Sequence, residues 1–410
     1  MAPVHFLQIY FAFAAGYLLS YLYRTVNAII SPELARDLSL NPASLGLLTS
    51  AYFLAFAAMQ IPVGILLDRY GPRRVEPVLL TLAAAGAALF AAADSLPALA
   101  VARAVIGAGV CACLMAPLKA LATWFPPDRQ ASYSGWIMVA GGIGALLATV
   151  PVELALRVTG WRSIFIVLAV VTLMVAGLIW WRVPDVPKSG KGETLGAQLA
   201  GVRSVFVHPR FWWIAPLASF GMGSFMAIQG LWAVPWMIDV DGGTRAAAAD
   251  HLLVMNGVIM LGYLGLGLFG QPLVRRGVHA RHLFAGGFAL NIVALALIVA
   301  QVRGSYVWWS LLGLGAAVNI LAFTVLNESF GRAFAGRTNT TLNLLMFGGS
   351  FITQWGIGIV AELARTLGGL DAAGSLRAAF ALILVGDVVA FAWFAYGWRR
   401  FRHAVPPAPA

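Results

Sequence analysis

Apolar stretches of about twenty residues or more recur along the whole chain, and they limit its possible folds more than any other feature. A helix needs ~20 mostly apolar residues to cross the ~30 Å hydrocarbon core of a membrane. The sequence therefore predicts twelve transmembrane helices, at residues 6–30, 43–66, 76–94, 97–121, 131–152, 163–182, 211–237, 248–270, 282–302, 305–327, 338–360 and 378–398. These stretches are continuous rather than alternating, which argues against a membrane barrel. We expect an all-α integral membrane protein.

Charged residues make up 10% of the chain and collect between the apolar stretches. With the N-terminus placed in the cytoplasm, 18 of the 27 Lys and Arg residues fall in cytoplasmic segments and 7 fall outside. This bias follows the positive-inside rule and predicts that both termini are cytoplasmic. The residues that give the net charge of +11 then lie mostly in loops at the surface of the lipid bilayer, and no nucleic-acid partner is expected. The predicted location is a bacterial-type inner (plasma) membrane.

A polar segment at residues 183–210 divides the predicted helices into six and six. We expect an N-terminal six-helix bundle at 1–182, a cytoplasmic linker at 183–210, a C-terminal six-helix bundle at 211–398 and a cytoplasmic tail at 399–410. The motif Gly-x-x-x-Asp-Arg-x-Gly at 64–71 reappears as Gly-x-x-x-Val-Arg-x-Gly at 270–277. Internal duplication of this kind is common in transporters, whose binding site lies between the repeats.

The turn after the second predicted helix combines charges with glycines at fixed spacing. A helical hairpin needs a polar turn at the membrane surface, but it does not need an Asp followed by three Arg. The pattern Gly-x-x-x-Asp-Arg-x-Gly-x-Arg resembles the loop between helices 2 and 3 of the major facilitator superfamily. The resemblance implies twelve helices in two bundles, alternating access, and a cytoplasmic gate formed by Gly64, Asp68, Arg69, Gly71, Arg73 and Arg74. A basic turn without a gating role is the alternative.

Three further patterns resemble the anion:cation symporter family of this superfamily. They are Tyr-x-x-Arg-x-x-Asn at 21–27, Leu-Gly-Leu-Leu-x-Ser-Ala-Tyr-Phe at 45–53 and Met-Gln-Ile-Pro-x-Gly at 59–64. That family includes vesicular glutamate and sialic acid carriers, so the resemblance implies an organic anion as cargo. The family usually has an acid before the helix-1 arginine and a glutamate in helix 4, where this chain has Tyr23 and Val110. A proton is the candidate coupling ion, although these two acids are absent.

Arg24 lies within the first predicted helix, where a charge costs ~2.5–3.5 kcal/mol to insert and more if it faces lipid. Tyr10, Tyr17 and Tyr21 share its face of the helix, within an arc of about 60° at 100° per residue. A planar guanidinium binds carboxylate or phosphate through two parallel hydrogen bonds, and aromatic rings can pack on the organic part of a ligand. We predict that these four residues bind the substrate. The alternative is an arginine that extends to the outer headgroups.

Arg103 is the second intramembrane arginine and matches the helix-4 arginine of the superfamily. The resemblance implies either coupling and substrate contact or hydrogen bonding between helices, and both roles stay open. In the second half, side chains that share faces of the predicted helices are expected to line the binding site: Gln229, Trp232, Asn256, Asn339, Asn343 and Gln354. Hydrogen bonding between helices is the alternative for the amides, because a buried amide needs a partner.

Acidic residues at membrane depth are few. The predicted spans leave Asp387, Glu153 and Glu328, and we expect Asp387 to pair with a neighbouring polar group. The intramembrane excess of positive charge indicates an anionic ligand. His279 and His282 lie one helical turn apart without nearby acids or cysteines, so neither a metal site nor a cofactor is expected. The sequence contains neither a nucleophile-base arrangement nor a phosphate-binding loop, which argues against an enzyme and against an ATP-driven pump.

The sequence as a whole predicts a monomeric secondary active transporter that moves a small organic anion by alternating access, in the uptake direction and by symport. Three other transport classes stay open, namely carriage of an inorganic anion, carriage of a neutral or zwitterionic metabolite, and efflux. A membrane receptor without transport would share the fold, but we expect such a receptor to carry a larger output segment than the short linker and tail.

Overall fold

The computed structural model of the protein describes residues 3–124, 127–185, 195–330 and 335–401, and the regular structure within them is helical. The first half contains α1 (Pro3–Asp37), α2 (Pro42–Ala58), α3 (Gln60–Tyr70), α4 (Pro72–Ala92), α5 (Leu96–Val110), α6 (Met115–Trp124), α7 (Pro127–Leu147), α8 (Val150–Leu156) and α9 (Trp161–Arg182). The remainder contains α10 (Leu195–Phe206), α11 (Pro209–Ala227), α12 (Ala233–Asp239), α13 (Arg245–Arg275), α14 (Ala280–Val299), α15 (Ser305–Ala316), α16 (Leu321–Phe330), α17 (Ala335–Thr366) and α18 (Ala372–Phe401).

Each of the twelve predicted spans coincides with helix. Ten stretches are long and apolar enough to cross a membrane, and α2 with α3, counted as one bent span, makes eleven. Helix α1 has 35 residues and is not among these eleven. The all-helical membrane fold is therefore observed, whereas twelve crossings and cytoplasmic termini stay predictions.

Several spans are interrupted near their centres. Helices α2 and α3 meet at Met59 with a bend of 46°. Pro62 explains this break, because inside a continuous helix it would clash with the carbonyl of Ala58, whereas the first turn of a new helix tolerates it. Residues 111–114 form a turn between α5 and α6. A π-helical turn, Ile228–Trp232, joins α11 to α12, and such turns are frequent at functional sites.

Helices α1 to α9 pack on one another, and α11 to α18 form a second group. The two groups meet where α2 packs along α17, α7 along α13, and α1 along the π turn. Small residues permit close approach inside the first group: a Cβ at Gly107 would collide with the Tyr52 carbonyl, and one at Gly144 with the Leu18 carbonyl. The lipid-facing surface is apolar, as the exposed Leu, Val and Trp side chains of α9 and α18 illustrate.

The repeated motif has the same backbone geometry in both halves. Gly71 follows α3 with φ 76°, and Gly277 follows α13 with φ 85°. Both values lie in the left-handed region, where glycine avoids the penalty of a Cβ, so each motif ends one helix and turns the chain into the next. The expected duplication is thus visible in the conformation as well as in the sequence.

The segment between the halves is more ordered than its polar composition indicated. It contains α10, a helix of 12 residues that packs against α17 and α3. Residues 186–194 of the predicted linker and residues 402–410 of the predicted tail lie outside the described residues. The predicted division at 182, 210 and 398 stays a prediction.

Candidate functional site

Arg24 is buried where α1 faces both α2 and α17, with 5% of its surface exposed. Its Cζ atom lies 4.6 Å from the Tyr21 ring centre, 5.5 Å from that of Phe56 and 5.3 Å from that of Phe347. The Phe56 and Phe347 rings are 4.2 Å apart and come from different halves of the chain. The guanidinium is therefore enclosed by aromatic faces at the interface between the halves, which favours a cation.

The charge of Arg24 has no acidic counterpart in the described part of the chain. Its Nε atom is buried without a hydrogen-bond partner there. The Tyr52 phenol lies beside the guanidinium and donates to the Ser20 carbonyl at 3.4 Å. A buried charge is normally compensated by a partner, so an unpaired donor of this kind indicates a site for an anion.

Gln354 brings an unpaired acceptor to the same interface. Its Oε1 is buried without a partner among the described residues, while its backbone carbonyl accepts from Trp232 Nε1 at 2.9 Å. A Cβ at Gly230 would lie 3.5 Å from the Arg24 carbonyl and 3.8 Å from Gln354 Oε1. Three spans therefore meet at the π turn, and a Cβ at Gly230 would make only ordinary contacts there.

A small cavity of about 40 Å³ lies between the halves and is lined by Tyr21, the ring that stacks on Arg24. Its polar lining comes from Tyr21, Gln229, Asn256, Tyr263 and Asn319. Gln229 Nε2 donates to Asn256 Oδ1 at 2.6 Å, and Asn256 Nδ2 donates to the Ala145 carbonyl of the other half at 3.3 Å. Asn319 Oδ1 is a further buried acceptor that lacks a partner within the described ranges. The cavity has room for about three water molecules, so a larger ligand requires the halves to move apart.

Arg103 has a different environment from Arg24. It is buried in the first half, where Nη1 donates to the Tyr23 carbonyl at 3.0 Å. The Asn27 amide, oriented to present its oxygen, accepts from Nε and Nη2 at 3.1 Å each. The guanidinium also lies 5.0 Å from the Tyr52 ring centre. These bonds join α5 to α1 and correspond to the inter-helix alternative considered for this residue.

The remaining predicted binding residues divide into those near Arg24 and those far from it. Tyr17 packs edge-on against Tyr21 at 5.1 Å and donates to Met138 Sδ at 3.6 Å. Tyr10 lies fourteen residues before Arg24, ~21 Å away along the helix axis, and contacts Phe11. Asn343 Nδ2 donates to Gln60 Oε1 across the interface at 2.7 Å.

Asn339 lies outside this cluster, because its Oδ1 accepts from Asn327 within the second half at 2.9 Å. It is fifteen residues from Gln354 on α17, ~22 Å along the axis. The structure thus gathers Arg24, Tyr21, Tyr17, Gln229, Asn256 and Gln354, with Trp232 beside them, and leaves Tyr10 and Asn339 apart. Sequence reasoning missed Tyr52 and Asn319, which no spacing pattern distinguishes from packing residues.

The charged turn is held by ion pairs within the first half. Asp68 of α3 pairs with Lys119 of α6. Arg73 Nη1 and Arg74 Nη2 approach Asp185 at 3.4 and 2.9 Å, and Arg73 Nε donates to the Trp180 carbonyl at 3.1 Å. Of the other members of the predicted gate, the Arg69 guanidinium stacks 5.2 Å from the Tyr70 ring, and Gly64 lies within α3. The turn is thereby tied to the ends of α6 and α9.

Ion pairs between the halves close the opposite end of the molecule. Arg245, at the start of α13, pairs with Glu33 of α1, and its Nη2 lies 3.8 Å from Glu153 of α8. Arg157 Nη2 holds the same Glu153 carboxylate at 3.0 Å. The sequence predicts that Arg245 lies in an outer loop, but it does not predict the pair with Glu33. The two residues are 212 positions apart in the sequence.

The expected set of membrane-depth acids was incomplete. The sequence predicts a span that begins at Glu76, whereas α4 begins at Pro72, so Glu76 lies in the second turn of α4 and is fully buried. Asp387 Oδ1 accepts a hydrogen bond from Ser224 Oγ at 3.2 Å. This contact agrees with the prediction that Asp387 pairs with a neighbouring polar group.

The chain is similar to known membrane transporters in sequence and in structure. The sequence model of the Major Facilitator Superfamily matches residues 13–354. A hexuronate transporter of Escherichia coli (strain K12) is 26% identical over 385 residues, which cover 86% of each chain. A galacturonate transporter of Dickeya chrysanthemi is 31% identical over 179 residues, which cover 43% of this chain and 51% of that protein.

Two solved structures share the fold over almost their full length. A bacterial homologue of the human lysosomal transporter Spinster, in an inward-facing and unoccupied conformation, matches with a TM-score of 0.80 at 18% identity over 100% of both chains. A mutant of the nucleoside transporter NupG matches with a TM-score of 0.75 at 15% identity, over 95% of this chain and 98% of that one.

Proposed function

The chain belongs to the Major Facilitator Superfamily, and on this basis we propose that it is a secondary active transporter for a small organic anion. Its relatives are transporters rather than enzymes, in agreement with the sequence-based exclusion of an enzyme. We propose uptake by symport through alternating access, carried out by a monomer in a bacterial-type inner membrane.

The observation that carries this proposal is the buried guanidinium of Arg24, whose Nε has no hydrogen-bond partner among the described residues. Its aromatic enclosure leaves the Nε side without a partner among the described residues. A carboxylate that docks there would gain charge-assisted hydrogen bonds, each worth about 1.5–3 kcal/mol. Because the site lies between the halves, the same anion would contact both of them.

A hexuronate or a closely related sugar acid is the proposed substrate class. The relatives named above transport hexuronate and galacturonate, which carry one carboxylate and several hydroxyl groups. The site offers a matching set of groups, with Arg24 as donor to the carboxylate and Gln354 Oε1 and Asn319 Oδ1 as acceptors for hydroxyls. A hydroxyl that satisfies a buried acceptor adds selectivity, because a ligand without it leaves that acceptor unpaired.

The transport cycle that we propose uses the two ends of the molecule in turn. The Arg245–Glu33 pair keeps one end closed, and opening there requires its separation. The Asp68 turn and the Gln60–Asn343 bond lie towards the other end, where separation of α3 from α17 would admit the substrate. Asp68, Arg69, Arg73 and Arg74 would act at this gate.

Uptake of radiolabelled galacturonate into proteoliposomes tests the proposal. We expect saturable uptake by the wild type and loss of uptake in Arg24→Ala, because the anchor for the carboxylate is gone. Arg162→Ala is the matched control, since Arg162 binds Asp94 at 2.5 Å near the surface and lies outside the site. Wild-type liposomes that take up no galacturonate and no competing organic acid would contradict the proposal.

A further inference from the structure

Glu76 is a buried acid that the proposed substrate site does not use. Its side chain has 0% exposure in the second turn of α4. Gly16 of α1 faces it so closely that an added Cβ would collide with Oε1. The missing side chain at Gly16 therefore leaves the space that the carboxyl group occupies.

Neither carboxyl oxygen of Glu76 has a hydrogen-bond partner within the described ranges. Most of the charged groups on the elements around α4 are engaged elsewhere or exposed. Lys119 pairs with Asp68, Arg103 binds Tyr23 and Asn27, and Arg162 binds Asp94. Arg73 and Arg74 bind Asp185, Arg69 stacks on Tyr70, and Arg182 is exposed. Arg24 of α1 is the buried cation that remains among the described residues, eight residues along the helix from Gly16. A buried carboxylate without a counter-charge is strongly disfavoured, so this environment favours the neutral acid over the carboxylate.

Helix α1 connects Glu76 to the substrate site. Gly16, which faces the Glu76 carboxyl, lies on the same helix as Arg24, eight residues or ~12 Å away along the helix axis. Cys113, in the turn at residues 111–114, lies beside the same carboxyl. Charges interact over longer distances in a buried region than in water, so a change of charge at Arg24 reaches this region.

We propose that Glu76 is the proton-binding residue that couples transport to a proton gradient, an inference that rests on the proposed anion site. An anion bound at Arg24 neutralises a positive charge that otherwise opposes protonation of Glu76. Proton and anion therefore favour each other's binding, and by linkage each strengthens the other by the same factor. Loading both together and releasing both together is the requirement for symport.

An infrared measurement tests the protonated state without any ligand. Purified wild-type protein should show an absorption band of a protonated carboxylic acid that is absent in Glu76→Gln. Asp387→Asn is the matched control, because Asp387 is an equally buried acid that is bonded to Ser224 in the second half. An unchanged band in Glu76→Gln overturns the proposal, whatever the cargo is.

Two transport assays then test coupling. With galacturonate as probe, Glu76→Gln should exchange labelled for unlabelled galacturonate at the wild-type rate but lose accumulation driven by a pH gradient. For the wild type and Asp387→Asn, one proton per anion permits accumulation of up to about tenfold per pH unit. Accumulation by Glu76→Gln, or loss of its exchange along with accumulation, contradicts the assignment. If the wild type exchanges no galacturonate, the proposed cargo is wrong. The infrared band then tests by itself whether Glu76 binds a proton.

Discussion

At the scale of single residues, Arg24 and Arg103 differ in whether their hydrogen bonds are satisfied. Both were visible in the sequence as arginines inside apolar stretches. Arg103 donates to Tyr23 and Asn27, whereas Arg24 retains an unpaired Nε within the described residues. An arginine whose donors are already used stabilises its own helices, and one with a spare donor is available to a ligand. The positions of both could be predicted, but their partners depend on helix rotations that no residue spacing specifies.

Replacing Arg24 by lysine should weaken galacturonate binding by about 10- to 100-fold, because an ammonium cannot form the two parallel bonds of a guanidinium. Isothermal titration of the purified variants measures the change. Arg103→Lys should lower the melting temperature while the affinity stays within about twofold of the wild type. Equal affinity in Arg24→Lys would contradict a carboxylate clamp at this residue.

Gln354→Leu should reduce the affinity for galacturonate by about tenfold through loss of one hydrogen bond to a hydroxyl. The same substitution should leave the affinity for cyclohexanecarboxylate unchanged, since that acid has no hydroxyl to donate. Competition against labelled galacturonate measures both in one assay. An equal loss for the two acids would show that Gln354 acts on the fold rather than on the ligand.

At the scale of elements, the interruptions of the spans carry the site. The bend at Met59 and the π turn at Ile228–Trp232 place Phe56 and Gly230 beside Arg24, and the turn at 111–114 places Cys113 beside Glu76. The apolar stretches located all three spans, but the sequence analysis predicted residues 43–66 as one continuous helix and did not predict the break that Pro62 causes. The sequence analysis did not predict that α4 starts at Pro72. It placed Glu76 at the first position of the span, and the burial of this acid was missed as a result. Polar residues near span ends are ambiguous for this reason.

Asp68→Asn should slow transport and leave ligand affinity unchanged, because the Asp68–Lys119 pair joins α3 to α6 far from Arg24. Lys119→Gln should have the same effect, since either change breaks the pair. Uptake rates and titration of the purified proteins separate transport from binding, and Asp94→Asn controls for loss of a surface ion pair. Uptake at the wild-type rate in both variants would contradict a gating role for the turn that contains Asp68.

At the scale of the whole molecule, the two halves make different contacts at their two ends. Ion pairs seal the end that contains Arg245, whereas a neutral amide bond, Gln60 to Asn343, spans the interface nearer the Asp68 turn. The repeated motif predicted an internal duplication, and Gly71 and Gly277 share a positive φ in the two copies of the motif. The pairing of Arg245 with Glu33 was not predictable, since it depends on how the halves face each other.

Arg245→Ala should increase exposure of the closed end, because it removes the pair with Glu33 and leaves Glu153 to Arg157 alone. A cysteine introduced by Ser31→Cys, which lines the cavity at this end, should react severalfold faster with a membrane-impermeant thiol reagent. The parent chain supplies the blank, because Cys111 and Cys113 are buried. Arg365→Ala, at the same end, is the control. Identical labelling rates would contradict a role of Arg245 in closure.

The most direct test of the central claim, that Arg24 anchors an anionic sugar, is isothermal titration with galacturonate and with galactose. The two ligands share most of their hydroxyl groups and differ in the carboxylate. The wild type should bind galacturonate at least tenfold more tightly than galactose, and Arg24→Ala should abolish this preference. Equal affinity of the wild type for both sugars, or an undiminished preference in Arg24→Ala, would contradict the account.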